Sequence, residues 1–311
     1  MSARELGRKA IKVTNSVVNG IVLTIIVLLL FLVGYALWDS EQIYRAADKS
    51  SYEVYKPTIE NEGRSFKELQ AINAEVFAWL TVYGTNIDYP VTQGYDNMKY
   101  VNTNAEGLYS LTGSIFLDYR NSKDFSDFNS ILYGHHMQKQ VQFGEIGDFS
   151  DKEKFDSLRY GNLYFNGKDH GIEFFAFIHT TAYDSAIYKA NIEEGKRQVY
   201  LDSLLEKSMH TRDIGVTIDD RIVLLSTCST DSTNGRDILI GRLSSEVYED
   251  QTTDAEITAG EKEQWSLDNP GELFEKFPLL LPILIVILAV LLIVMLLLIS
   301  RRRKQNRGKD S

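Results

Sequence analysis

Cysteine is almost absent: Cys228 is the single thiol in a chain of 311 residues. A fold stapled by disulfides within the chain is excluded, because each bridge needs two thiols. Basic charge is also short, with 33 Lys and Arg against 43 Asp and Glu and a formal net charge of −10. That deficit argues against a nucleic-acid partner, whose binding depends on Lys and Arg neutralising phosphates. The sequence has no internal repeat, no low-complexity tract, no glycine-rich phosphate loop and no Cys/His metal spacing, so no metal or nucleotide cofactor is expected. Hydrophobic residues make up 44%, which excludes a disordered chain and suffices for one folded domain of ordinary size.

Charge is missing altogether from two stretches. Residues 17–38 are almost wholly apolar, and residues 277–299 carry no charge, with Pro278 and Pro282 close to their start. Each is long enough to cross a bilayer, which takes roughly 20 helical residues. Arg4, Arg8, Lys9 and Lys12 precede the first run, and Arg301, Arg302, Arg303, Lys304, Arg307 and Lys309 follow the second. Positive flanks stay cytoplasmic, so tails 1–16 and 300–311 are expected inside the cell and residues 39–276 outside, in a two-pass cell-membrane topology. The exit Tyr35-Ala36-Leu37-Trp38-Asp39 offers no small-residue cleavage site, which favours a retained anchor. Wall-anchored bacterial surface proteins end in a similar apolar tail. They also carry a pentapeptide of the LPxTG kind upstream, and Leu267-Asp268-Asn269-Pro270-Gly271 does not match it. The outer segment keeps 23 basic and 41 acidic side chains, a balance of −18 that a carboxylate-rich soluble surface explains.

Residues 39–64 read as a stalk that begins helical. Ser65-Phe66-Lys67-Glu68 is a capping-box pattern, and Leu69, Ile72 and Val76 follow at helical spacing, which predicts a helix over 66–78. Short β-rich runs then recur at 86–91, 113–117, 130–135, 171–179, 221–227 and 237–243. Between the fourth and fifth of these, Tyr200, Leu201, Leu204 and Leu205 predict one inserted helix within 187–209. The pattern is that of a mainly β barrel or sandwich with a few helices.

A lone Cys is ordinarily a small buried apolar residue. Cys228, however, ends the apolar run Leu224-Leu225-Ser226-Thr227 and precedes the polar stretch Ser229 to Gly235, which places it at a strand-to-loop edge open to substrate. Asn234-Gly235 is a turn dipeptide, so the flanking runs can pair as a hairpin that brings Arg236 beside Cys228. A surface Arg pairing with Asp231 or Asp237 is an equal alternative. Arg242, six residues further on, lies roughly 20 Å away at about 3.3 Å per residue and is the poorer candidate. A thiol nucleophile works as the thiolate and wants a neighbouring imidazole or cation. His135 and His136 follow a strand, whereas His170, His179 and His210 read as structural or surface residues.

These residues resemble a class B sortase, a cysteine transpeptidase family of Gram-positive bacteria. The resemblance covers about 65–245 and includes Trp79-Leu80-Thr81-Val82-Tyr83, Asn86-Ile87-Asp88-Tyr89-Pro90-Val91, Gly113-Ser114-Ile115-Phe116-Leu117-Asp118-Tyr119-Arg120, Tyr133-Gly134-His135-His136 and Leu225-Ser226-Thr227-Cys228. It implies a closed β-barrel of about eight strands, with N-terminal helices and an extra helix before the strand that carries the nucleophile. The domain order becomes stalk 39–64, catalytic domain 65–248 and linker 249–276. His135, Cys228 and Arg236 match the family's catalytic positions, and Asn97, Val101, Tyr133 and Ser226 match positions that line the sorting-signal groove.

The implied reaction is attack of the Cys228 thiolate on the Thr carbonyl of a sorting motif, with His135 protonating the departing amine. Arg236 offers donors to the motif backbone or the developing oxyanion. An acceptor amine, from a peptidoglycan cross-bridge, lipid II or a pilin Lys, then resolves the thioester on a surface protein or pilin. Two departures stand out: Leu224 replaces a Thr usual in the family, and a C-terminal span is more common among pilus-building class C enzymes. A cell-surface cysteine protease and a non-catalytic scaffold module are the competing readings.

Overall fold

The computed structural model describes residues 3–58, 63–137, 140–229 and 234–250. The described residues fall into two compact units, divided between residues 39 and 40. In the first unit, helix α1 (Ala3–Ala47) begins, and its apolar side chains, among them Ile21, Leu28, Phe31 and Leu32, are exposed. Within α1, Ala3–Arg45 is long and apolar enough to cross a membrane, the one such helix among the described residues. The expected second span, 277–299, lies outside the described residues.

In the second unit, α1 ends at Ala47 and two 3-10 turns follow, Lys49–Ser51 and Glu53–Tyr55. Asp48 caps the first by accepting from Ser50 N. Helix α2 (Arg64–Ile72) starts at Gly63, whose left-handed φ of 67° provides no side-chain cap. The predicted capping box does not form, because the Ser65 hydroxyl donates instead to Lys56 O at 3.1 Å. Nor does the helix reach 78. Asn73 ends it by accepting from Glu75 N, and strand β1 (Val76–Val82) begins. Val76, Ala78, Leu80 and Val82 are buried at period two, so the apparent helical spacing of Leu69, Ile72 and Val76 straddles two elements.

The remaining strands and α-helices are β2 (Asp88–Thr92), β3 (Ile115–Leu117), β4 (Asn129–Tyr133), α3 (Lys152–Ser157), β5 (Tyr160–Phe165), β6 (Lys168–Thr181), α4 (Arg197–Lys207), β7 (His210–Thr211), β8 (Arg221–Cys228) and β9 (Gly235–Ser244). Strand pairing runs β1-β2-β3-β4-β8-β9-β6-β5, and β5 also pairs with β1, so eight strands close a barrel. The two-residue β7 adds to β6. Pairs β2/β3 and β4/β8 are parallel and the others antiparallel. Each of the six anticipated β-rich runs overlaps a strand, and α4 occupies part of the expected inserted helix. Strands β1, β5 and β7 were not anticipated.

Two apolar layers hold the barrel. Its interior gathers Leu80, Val91, Leu132, Phe174, Phe177, Val223, Leu225 and Leu239. Outside, Ile131, Ile222, Leu224, Ile238 and Ile240 pack with Tyr200, Leu201 and Leu204 of α4. Strand β8 is therefore covered on both faces, which is why Ile222-Val223-Leu224-Leu225 reads as a continuous apolar run rather than an alternation. Leu224, the departure from the family's Thr, is a member of that outer layer and fully buried.

Candidate active site

The parallel pairing of β4 with β8 sets Tyr133 opposite Ser226, and Gly134 N donates to Ser226 O at 3.2 Å just beyond. Residues 135 and 228 therefore leave the barrel at the same end on neighbouring chains, which in a sheet run about 4.8 Å apart. On the other side of β8, Cys228 and Arg236 are register partners in the antiparallel ladder, and Ser229 N donates to Gly235 O at 3.0 Å. His135, Cys228 and Arg236 thus sit in that order across three adjacent chains.

Alternation fixes the face they share. Ile222 and Leu224 on β8, Ile238 and Ile240 on β9, and Ile131 on β4 all belong to the outer layer. Two-residue steps along the same strands lead to Ser226 and Cys228, to Arg236, and to Tyr133. Ser226 is still buried, whereas Cys228 is an exposed free thiol. Arg236 donates to Gly235 O at 2.8 Å, and the Asp237 carboxylate is taken by His179 Nδ1 at 2.8 Å on the opposite face. Asp231 lies outside the described residues. Arg242 is at the far end of β9, opposite Ile222, and donates to Glu173 at 2.6 Å.

His135 is half-buried and held at both ends. Its backbone N–H donates to Gln142 Oε1 at 3.3 Å, and its Nε2 lies 2.9 Å from Val101 O. A carbonyl oxygen can only accept, so Nε2 carries the hydrogen and Nδ1 is the nitrogen left to exchange protons. Gly113, at φ 56°, lets the neighbouring loop close on that carbonyl. A Cβ there would meet Tyr100 O at 2.3 Å and Val101 O at 2.5 Å. The other four imidazoles are placed differently. His136 pairs through its backbone with Gln142, His170 stacks on Phe165, His179 binds Asp237, and His210 Nε2 lies 2.6 Å from Ser150 O.

Beside these residues runs a chain of polar contacts that sequence reasoning only partly found. Asn97 donates to Asp118, Tyr133 donates to Asp118, and the Tyr133 ring stacks on Tyr188 at 6.2 Å between centroids. The Tyr188 hydroxyl and Ser226 Oγ are 2.9 Å apart. Three of these, Asn97, Tyr133 and Ser226, were expected in a groove, and Val101 enters through its carbonyl on His135. Asp118, Arg120, Tyr188 and Gln142 were missed as site residues. Asp118 and Arg120 stood inside a quoted motif, but nothing in the sequence shows that partners at 97 and 133 converge on one carboxylate. Burial acts to raise the Asp118 carboxyl, yet hydrogen bonds and charge from Arg120, with the Asn97 bond, hold it below the ordinary range. Burial and the Asp118 charge push the Tyr133 hydroxyl well above its usual value. Among the described residues no group of three or more His, Cys, Asp and Glu is arranged to hold a metal ion.

No family model matches the chain. Sortase B of Listeria monocytogenes is 31% identical over 233 residues, which span 71% of this chain and 95% of that protein. The chain belongs to the sortase B family. Solved structures agree on the sortase barrel. Sortase B from the type II pilus of Streptococcus pneumoniae is 47% identical, with a TM-score of 0.52 over 58% of this chain and 99% of its own. A class B sortase of Streptococcus pyogenes involved in pilus biogenesis is 41% identical, with a TM-score of 0.55 over 59% of this chain and 100% of its own. As a sortase it is a member of a transpeptidase family that works through cysteine.

Proposed function

We propose that this sortase is a membrane-anchored cysteine transpeptidase that cuts a C-terminal sorting motif of a surface protein or pilin and joins the new carbonyl to an amine. The observation that carries the reading is the register of β4, β8 and β9, which sets His135, Cys228 and Arg236 side by side with the thiol exposed. Cys228 attacks as the thiolate. His135, with Nε2 on the Val101 carbonyl, exchanges its proton through Nδ1, first to the departing amine and later from the incoming one. Arg236, opposite Cys228, donates to the oxygen on which negative charge develops, a role worth roughly 3 to 4 kcal/mol where such a donor has been deleted elsewhere. The thioester conserves the bond energy, so the cycle needs neither nucleotide nor metal.

The pilus systems of the two streptococcal relatives favour a pilin as the cargo. The anchor is the apolar segment of α1, joined on sequence grounds by residues 277–299, which would hold both termini in the cytoplasm and the barrel outside. The test is mass spectrometry of the full chain in detergent micelles with a panel of sorting-motif peptides, in the presence and absence of hydroxylamine. A thioacyl adduct on Cys228, resolved by the amine in preference to water, is the expected result, and Cys228→Ala gives none. Resolution by water alone identifies a protease, and an unmodified wild-type enzyme leaves a scaffold.

A further inference from the structure

The Asp118 carboxylate is fully buried, and five donors converge on it. Arg120 supplies three: its backbone N–H and Nε to Oδ1 at 3.0 and 2.8 Å, and Nη2 to Oδ2 at 2.7 Å. The other two come from different parts of the chain, Asn97 Nδ2 at 2.9 Å and the Tyr133 hydroxyl at 3.1 Å, both on Oδ2. Asn97 is held at its other end as well, because Oδ1 accepts from Tyr119 N at 2.9 Å. Turning that amide over would set its oxygen against a carboxylate and its NH2 against a backbone N–H, two repulsions in place of two bonds.

From this geometry we infer that Asp118 is a positioning residue that sets the hydrogen-bond polarity of the sorting-signal groove, making Asn97 a donor and Tyr133 an acceptor toward the peptide. The inference deepens the proposed function and rests on it for the location of the groove. With one Nδ2 hydrogen on Asp118, the second is the one Asn97 can offer, and it suits a carbonyl oxygen. The Tyr133 hydroxyl spends its only hydrogen on Asp118, so its oxygen lone pairs suit an N–H or O–H. The ligand so selected is an extended peptide that presents a carbonyl to Asn97 and a donor to Tyr133. Arg120 keeps Asp118 an acceptor on both oxygens, which is what makes the setting one-way.

The test is Asp118→Asn in the full-length enzyme. Arg120 still requires an acceptor, so the oxygen of the new amide turns to Arg120 and its NH2 turns to Asn97 and Tyr133, which makes Tyr133 a donor toward the peptide and leaves Asn97, still held by Tyr119 N, without the acceptor that fixes its Nδ2. The expected result is a rise of about ten-fold in KM for the motif peptide, as one mismatched and one unfixed hydrogen bond imply, with kcat within about three-fold. The rate at which iodoacetamide alkylates Cys228 stays unchanged. A KM that does not move, or a loss confined to kcat, overturns the inference. If Asp118→Asn unfolds, Asp118→Asn combined with Arg120→Met removes the unmatched guanidinium and is read in the same way.

A second readout needs no activity. In wild-type enzyme with nitrogen-labelled Asn, one Nδ2 proton of Asn97 is protected from exchange and the other is not, and the substitution abolishes the difference. Two equally exposed protons in the wild type overturn the inference. Absence of peptide turnover by the wild type, with the protected proton still present, counts against the proposed function instead.

Discussion

Two histidines stand at the same end of the barrel and have opposite surroundings. His135, beyond β4, shares the outer face with Cys228 and rests its Nε2 on a neutral carbonyl. His179, on β6, faces the other way, where Thr227 and Asp237 are register partners, and its Nδ1 is bound by the Asp237 carboxylate. A carboxylate partner ties the imidazole into a fixed pair. A carbonyl orients the ring through Nε2 and leaves Nδ1 turned away from it. This end of the barrel thus carries a carboxylate-bound imidazole on one face and, on the other, the imidazole to which the proposed reaction assigns acid–base work, separated by the single-residue alternation of β8 and β9.

The sharpest way to break this contrast is a pair of substitutions. His135→Asn is expected to slow thioacylation about 10²- to 10⁴-fold, the usual worth of a positioned acid or base. His179→Asn should leave the rate within about three-fold and lower unfolding free energy by about 1 to 2 kcal/mol, through the buried Asp237 carboxylate. Equal losses of turnover in the two variants would erase the distinction. The interior face can be probed separately from the outer one. Leu225→Ala, in the interior layer between Ser226 and Leu224, should cost about 2 to 5 kcal/mol in denaturant unfolding. The enzyme that remains folded should keep its rate.

The smallest effect is the pH dependence of Asp118. Its folded value is depressed, so its contribution is present above the unfolded value of about 3.9 and is lost as pH falls through the lower folded value. Unfolding free energies measured from pH 5 downward should therefore fall more steeply in the wild type than in Asp118→Asn. Parallel curves would mean that the carboxylate is not held ionised by Arg120.

What the sequence made legible follows from how local each signal is. Strand β8 was readable because cover on both faces leaves an unbroken apolar run that ends abruptly at Cys228. Arg236 was only half legible: the turn dipeptide Asn234-Gly235 suggests a hairpin across from that thiol, a surface pairing with Asp231 or Asp237 was an equal alternative, and the ladder register decides its place. Strand β1 was misread because Val76 happens to fall four residues after Ile72, and only the barrel shows that its neighbours alternate. Strand β5, with Gly161 and Asn162 within its six residues, has little apolar pattern of its own and is recruited by pairing on both sides with β1 and β6. The Asp118 junction was invisible for the opposite reason. Its donors at 97, 120 and 133 belong to three separate loops or strands, and no local pattern records their convergence.

Strand β8 has hydrogen-bonded neighbours on both edges and packed side chains above and below. Its amides should be among the last in the molecule to exchange with solvent, so the sulfur is mounted on the stiffest part of the scaffold. In the proposed reaction, adaptation to new cargo would then fall to the connecting segments around 102–112 and 182–187. Their sequences are free to diverge while the reactive centre stays where the ladder puts it.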